Sequence, residues 1–490
     1  LLCAPSHTAC DVLTRRLVDL LSRQGTARDI IKSMVFRLYD IERPVEMTPV
    51  ELLPYTRQRG EAGDFCLPST QELLGFSVII CTCQDAHLLY LAGLTNSSLR
   101  QRRQCLKTKL DRTIQAAGLS YSSKNDIIIG ASQPHFTHLF IDEAAQATEP
   151  ESLIPISCVM DFHPTAIKAE IALCGDPRQL SPGIFSPIAQ ECLKRSLLER
   201  LLRLPSTTYG GGREHLLGPP SSGQPMSMEE LIEYSFQKKS VQDNLSVFLN
   251  LSYRGHPSFL LMPSKLFYFD KLRSATNPNS GLSLYGHSRG ETSTDWIDAV
   301  RKLESTTVSA YPEPFAARVN QWPIHFRGVV GLDKSSVVDT IFGSNSWCNE
   351  EEAIEVLSIV DTLIKSGIGT KSIGVMALFR AQVVLIRKLL RDHGLGTVNV
   401  GTVENYQAVE SDVVILSLTR SNERFMRDDV TRQAGIFFQP KRMNVALTRA
   451  EHMLVVVGNP NVMVTDPAWK AWLEFARENG LWFGEKLGLE

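Results

Sequence analysis

The chain has 490 residues, 43% apolar and 21% charged, with 51 basic against 53 acidic residues and a formal net charge of −2. That length supports two or three domains with sizeable cores. The composition excludes a disordered or collagenous chain, while the near-neutral balance leaves room for a locally basic nucleic-acid groove. The ten cysteines form no C-x-x-C pair and have no His partners at zinc spacing. They read as reduced residues of a cytosolic or nuclear protein. No apolar run is long enough to span a membrane, and no signal peptide is visible.

In chain order, the sequence opens without Met on Leu1-Leu2-Cys3-Ala4-Pro5-Ser6, an apolar run ending in a turn, and a helical pattern follows over 9–21. This looks like a strand entered partway through a domain, which predicts that the chain is a fragment. Short apolar runs at 77–81, 138–141, 171–174, 373–378, 413–418 and 453–457 alternate with helical stretches. Such buried runs separated by helices predict parallel sheets in α/β domains. Three regions break the rhythm. Residues 96–125 are polar and basic, with helical periodicity around 99–114. Residues 205–242 hold Gly-Gly-Gly and Gly-Pro-Pro-Ser-Ser-Gly, the composition of a linker or surface insertion. Residues 274–311 are rich in Ser, Thr, Asn and Gly and predict an irregular insertion. The expected layout is a first domain over 1–204, a linker over 205–242 and a second domain over 243–490.

The run His138-Leu139-Phe140-Ile141 ends in Asp142-Glu143-Ala144-Ala145-Gln146. An apolar strand that ends in two adjacent acids is the layout of a Walker B site. The first acid can hold Mg²⁺, and the second can orient and deprotonate the attacking water. Successive strand side chains point oppositely, so the pair must sit where the strand ends and the chain turns. Ligands bind at the carboxyl ends of parallel strands in open α/β sheets. The competing reading is an acidic N-cap of the next helix. The following run ends in Gly175-Asp176-Pro177-Arg178-Gln179-Leu180-Ser181-Pro182. Gly and Pro force a turn there, and Gln179 suits sensing a terminal phosphate or positioning water.

Together, Asp142 to Gln146 and Gly175 to Pro182 resemble motifs II and III of superfamily 1 helicases, in the up-frameshift-like (1B) branch. Leu2-Cys3-Ala4-Pro5-Ser6 resembles motif Ia, which contacts the nucleic-acid backbone, and Val78-Ile79-Ile80-Cys81-Thr82-Cys83 the strand motif after it. Leu251-Ser252-Tyr253-Arg254-Gly255-His256-Pro257 resembles motif IV, where the Tyr stacks on the base and the Arg reaches the γ-phosphate. Gly401 and Thr402 to Glu404, Gln407, Ala408 and Glu410 resemble motif V. The run Pro440 to Ala450, with Arg442, Asn444, Thr448 and Arg449, resembles motif VI and its second arginine finger. Residues before and after the acids, and the later Gly458-Asn459-Pro460, look most like the Armitage / silencing-defective branch.

The resemblance spans residues 1 to about 480 and implies two RecA-like parallel-sheet domains of a P-loop NTPase. It implies an RNA helicase of small-RNA silencing or mRNA metabolism, moving 5′ to 3′ with ATP and Mg²⁺. Domain closure onto Arg254 and Arg449 would couple hydrolysis to movement. The catalytic set would be Glu143, Asp142, Gln179, Arg254 and Arg449, with Asp142 as metal ligand. Tyr253, Glu410, Gln407 and Asp176 would bind nucleotide. Pro5, Ser6, Thr82, Thr402 and Asn444 would contact single-stranded RNA, with DNA as the alternative strand. The resemblance also implies Argonaute-type silencing partners, no membrane, and a cytoplasmic or RNA-granule location. The rival readings are a DNA helicase of the same superfamily and a non-catalytic RNA-binding scaffold.

Two departures stand out. No G-x-x-x-x-G-K-[ST] occurs, and Gly367-Ile368-Gly369-Thr370-Lys371-Ser372 follows a helix and precedes a strand, the reverse of a phosphate loop. The expectation is truncation just after that loop and little ATP turnover by the chain as written. Ala408 stands where the family has Gly, so its methyl could crowd nearby backbone. The stretch 93–128 reads as an insertion whose Arg100, Arg102, Arg103, Lys107, Lys109 and Arg112 form a solvated face or extend a nucleic-acid path.

Overall fold

The computed structural model describes residues 1–59, 63–117, 134–164, 166–184, 186–202, 246–275, 323–337, 345–406, 409–426, 429 and 435–485. The expected linker over 205–242, most of the 274–311 segment, Gln407 and Ala408 lie outside these residues. The described residues fall into two compact units. One draws on Leu1–Pro177 and Ser181–Glu233, the other on Arg178–Leu180 and Tyr234–Glu490. Both are α/β units built on all-parallel sheets, as the alternation of apolar runs and helices predicts.

The first unit holds β1 (Leu2–Ala4), α1 (His7–Arg23), α2 (Arg28–Met34), β2 (Val35–Arg37), β3 (Val78–Thr82), α3 (Asn96–Ala116), β4 (His138–Ile141), α4 (Glu149–Val159) and β5 (Glu170–Leu173). Its sheet runs β2-β3-β1-β4-β5, every pair parallel. β1 is therefore central, and the chain switches direction about it: β2 and β3 lie to one side, β4 and β5 to the other. Functional loops collect at the carboxyl ends of strands on such a switch. Helix starts are fixed locally. Ser6 Oγ accepts from Ala9 N at the start of α1. Thr148 and Glu151 form a reciprocal capping box on α4. Cys3, Ile79, Cys81, Leu139 and Ile141 fill the core of this unit. Burial pushes the thiols of Cys10 and Cys158 up to about 12, and those of Cys3 and Cys83 up as well. These thiols stay protonated and inert, which fits reduced core residues.

The second unit holds α5 (Ser258–Phe267), β6 (Ile324–Gly328), α6 (Glu350–Lys365), β7 (Ile373–Ala377), α7 (Arg380–Asp392), β8 (Asn399–Thr402), β9 (Ser411–Ser417), α8 (Pro440–Leu447), β10 (Ala450–Gly458), α9 (Pro467–Glu478) and β11 (Trp482–Gly484). Its sheet runs β8-β7-β9-β10-β6-β11. The two faces alternate as the pleat requires. Val414, Leu416, Leu454 and Val456 pack with Trp469 and Trp472 on one side. Val413, Ile415, Met453, Val455 and Val457 pack with α6 and α7 on the other. Helices cover both faces, so the central strands are apolar throughout. The Gly367 to Ser372 segment turns from α6 into β7, with Gly367 at φ +96 and a short 3-10 turn at Thr370–Ser372.

Candidate active site

Asp142 directly follows β4, and its backbone N donates to Cys3 O at 2.8 Å. Its Oδ1 accepts from Glu143 N at 2.9 Å. Glu143 adopts the left-handed backbone region at φ 52, a conformation that costs about 1–2 kcal/mol for a residue with a Cβ. The bend breaks strand alternation, so the two acids need not point to opposite faces. Gln146 Nε2 donates to Glu143 Oε2 and holds the carboxylate. Ala144 N then donates to Cys174 O at 2.7 Å, tying the turn to the end of β5. Gly175 makes that approach possible, because a Cβ there would lie 2.9 Å from both Ala144 N and Ala145 N. Asp176 is half-buried beside it. The carboxylate of Asp142 is a hard oxygen donor of the kind Mg²⁺ takes.

In the second unit, Arg254 Nη2 donates to Glu410 Oε1 at 2.6 Å and Nη1 to Thr448 O at 2.8 Å. Arg254 Nε is buried without a hydrogen-bond partner among the described residues, a donor left over for an anion. Tyr253 beside it is 74% exposed, a free ring for stacking. Arg449 is buried; its Nε donates to Val445 O at 3.2 Å and its Nη2 to Gln179 Oε1 at 2.6 Å. Gln179 was expected with the first domain. The short stretch Arg178–Leu180 groups with the second unit, and the bond from Arg449 to Gln179 is charge-assisted.

The residues expected along the nucleic acid divide. Ser6 is exposed and Pro5 half-buried at the start of α1. Thr402 is half-buried at the end of β8, where its hydroxyl donates to Asn405 Oδ1 at 3.0 Å. The other two are buried. Thr82 is buried, and its Oγ1 accepts from Asp85 N at 2.9 Å, capping its own turn. Asn444 is fully buried, with Nδ2 donating to Tyr268 Oη at 2.6 Å and to Arg178 O at 3.1 Å. Its Oδ1 is buried without a hydrogen-bond partner among the described residues. Gln407 lies outside the described residues.

Sequence reasoning missed the support behind Ser6. Asp11 Oδ1 accepts from Arg37 Nε at 3.0 Å and from Tyr39 Oη at 2.7 Å, all buried. Arg37 also lies 3.9 Å over the Tyr39 ring. The signal was present: Asp11 sits among Ala9, Cys10 and Thr14 on the buried face of α1, where an unpaired charge is too costly to persist. Next to it, burial holds His7 below the usual imidazole range, against the opposing pull of Asp85. His7 is thus largely neutral at pH 7. In α3, Arg100 pairs with the buried Asp161 at 2.6 Å, while Leu106 and Leu110 are exposed. No helix among the described residues is long and apolar enough to cross a membrane.

Two family models, each described as an AAA domain, match residues 93–187 and 228–461. The human RNA helicase Mov10l1 is 34% identical over 376 residues, covering 76% of this chain and 26% of that protein. The probable RNA helicase armi of Drosophila melanogaster is 26% identical over 482 residues, covering 98% of this chain and 34% of that protein. A regulator of nonsense transcripts 1 homolog of Arabidopsis thaliana is 27% identical over 498 residues, covering 98% of this chain and 30% of that protein. The chain thus spans about a quarter to a third of the length of these relatives.

Proposed function

This chain belongs to the superfamily 1, up-frameshift-like helicases, and we propose that it carries most of the motor of an ATP-dependent RNA helicase, moving 5′ to 3′ on single-stranded RNA. One observation carries the reading: Asp142 and Glu143 stand together at the carboxyl end of a parallel strand, with Glu143 bent into the left-handed region. Strain kept at a strand end marks a position whose geometry matters more than its local stability. Asp142 would hold Mg²⁺, which supplies charge neutralisation at the phosphates. Glu143, oriented by Gln146, accepts the proton of the attacking water. Arg254, steadied by Glu410, and Arg449 supply positive charge for the γ-phosphate, with Gln179 as its sensor. Tyr253 stacks on the base; Asp176, Glu410 and Gln407 complete the nucleotide contacts. Pro5, Ser6 and Thr402 remain the proposed contacts to the RNA backbone.

The relatives' names motivate the RNA substrate and, through the armi and Mov10l1 resemblance, a role in RNA silencing with Argonaute-type partners in the cytoplasm. The domain limits of 1–204 and 243–490 stay part of this proposal. Since the 490 residues contain no G-x-x-x-x-G-K-[ST], the test joins the strand and phosphate loop of the fly relative ahead of Leu1. ATP turnover is then followed with single-stranded RNA and with DNA of the same sequence. RNA should stimulate turnover, and Glu143→Gln should cut it by about 100-fold or more while RNA binding persists. Unchanged turnover in Glu143→Gln would sink the general-base assignment, and stimulation by DNA alone would sink the RNA assignment.

A further inference from the structure

A separate constellation lies where β9 and β10 begin. Along most of their length the strands pair in simple register, from Val413 opposite Met453 to Ser417 opposite Val457. At their entry Ser411 pairs with Ala450, so a single residue of β9, Asp412, faces two of β10, Glu451 and His452. On a regular strand Glu451 and His452 would point to opposite faces. An extra residue bends the strand and re-aims its side chains. The result is convergence: one ligand-capable atom from each of Asp412, Glu451 and His452 lies within 4.8 Å of the other two. His452 Nε2 is 3.6 Å from Asp412 Oδ1, and both side chains keep about a quarter of their surface open. The bulge is also held from outside. A Cβ on Gly255 would come 2.8 Å from Glu451 O and 3.1 Å from Ala450 O, so the chain of Gly255 lies directly against it.

We propose that Asp412, Glu451 and His452 form a binding site for a divalent transition-metal ion of the Mn²⁺–Zn²⁺ class. Two carboxylates and one imidazole neutralise a divalent cation and combine oxygen with nitrogen donors, the set such ions accept. Three protein ligands from two adjacent strands leave the remaining positions to water. The site is independent of the helicase reading and lies in a different unit from Asp142. Its place in the chain gives it a consequence. Asp412 follows Glu410 by two residues and Glu451 follows Arg449 by two, so a bound ion clamps the strand ends that carry both.

Mn²⁺ titration of the 490-residue chain without nucleotide, read by the electron paramagnetic resonance of free Mn²⁺, tests this. Manganese prefers oxygen and nitrogen to thiolate, so the ten cysteines compete little. One saturable site is expected. Changes outside the ligand shell alone cost about 10–100-fold in metal affinity, so Asp412→Asn and His452→Gln should each cost about 100-fold or more. Asp142→Asn should leave the site unchanged. Melting of each metal-free variant, followed by tryptophan fluorescence, verifies that it folds; Zn²⁺ should raise the melting temperature of the unaltered chain and not that of His452→Gln. Absence of a saturable site, binding retained in both ligand variants, or loss in Asp142→Asn would overturn the proposal.

Discussion

Glu352 is fully buried in the second unit, and its carboxyl is held up to about 8 by that burial, against an ordinary value of 4.5. Its Oε2 accepts from Ser417 Oγ at 2.7 Å and Thr419 N at 2.8 Å. Thr419 itself sits at φ 68, so this carboxyl pins a strained turn at the end of β9. Because the folded state keeps a proton that the unfolded chain releases, stability falls as pH rises from 4.5 to 8, by about 1.4 kcal/mol per pH unit. From pH 4.5 to 8 the loss is about 5 kcal/mol. Glu352→Gln keeps an acceptor oxygen for Ser417 and Thr419 but has no proton to lose. Its amide faces Asn349 Nδ2, 3.5 Å from Glu352 Oε1, for a pH-independent cost of about 1 kcal/mol. All six tryptophans follow residue 234, so urea unfolding followed by tryptophan fluorescence reports on this unit alone. The variant should gain on the parent steadily between pH 5 and 8 and overtake it. A stability difference that stays flat over that range would refute the buried-proton argument.

The remaining tests bear on both units. His325 is fully buried and held down to about 4; it is neutral in the fold while the unfolded chain takes up a proton below 6.5. Stability should therefore drop by about 3 kcal/mol as pH falls from 6.5 to 4, and His325→Gln should remove that acid loss in the same tryptophan assay. Asp11→Ala strands the buried Arg37 and should cost about 3–5 kcal/mol, measured by loss of helical circular dichroism in urea unfolding. Gly175→Ala forces a methyl to 2.9 Å from two backbone nitrogens; it should cost about 1–3 kcal/mol and lower Mn²⁺–nucleotide affinity at Asp142 in the chain carrying a phosphate loop.

Much of the architecture was written locally. The run at 138–141 is the strand His138–Ile141 itself, and the apolar stretches at 373–378, 413–418 and 453–457 each lie within a residue or three of an observed strand. Those elements were legible because strands buried on both faces must be continuously apolar. The paired acids and the Gly-Asp-Pro turn were legible because spacing along one strand is a property of the sequence. Other strands hid. Val35–Arg37 is three residues long and carries a charge, and Ile324–Gly328 mixes His and Arg with its apolar residues. Arg37 reads as surface until Asp11 is brought to it from α1.

Tertiary structure alone settled what each polar side chain is free to do. Thr82 and Asn444 sit within runs that resemble nucleic-acid motifs, yet both are buried and bonded inward. The register shift that gathers Asp412, Glu451 and His452 needs two strands 40 residues apart, and no single run predicts it. The sequence by itself determined the elements and the family, because periodicity and motif spacing are local. Strand order, burial and the partner of each charge were decided by the fold, because desolvation and pairing depend on which distant segments arrive beside a residue.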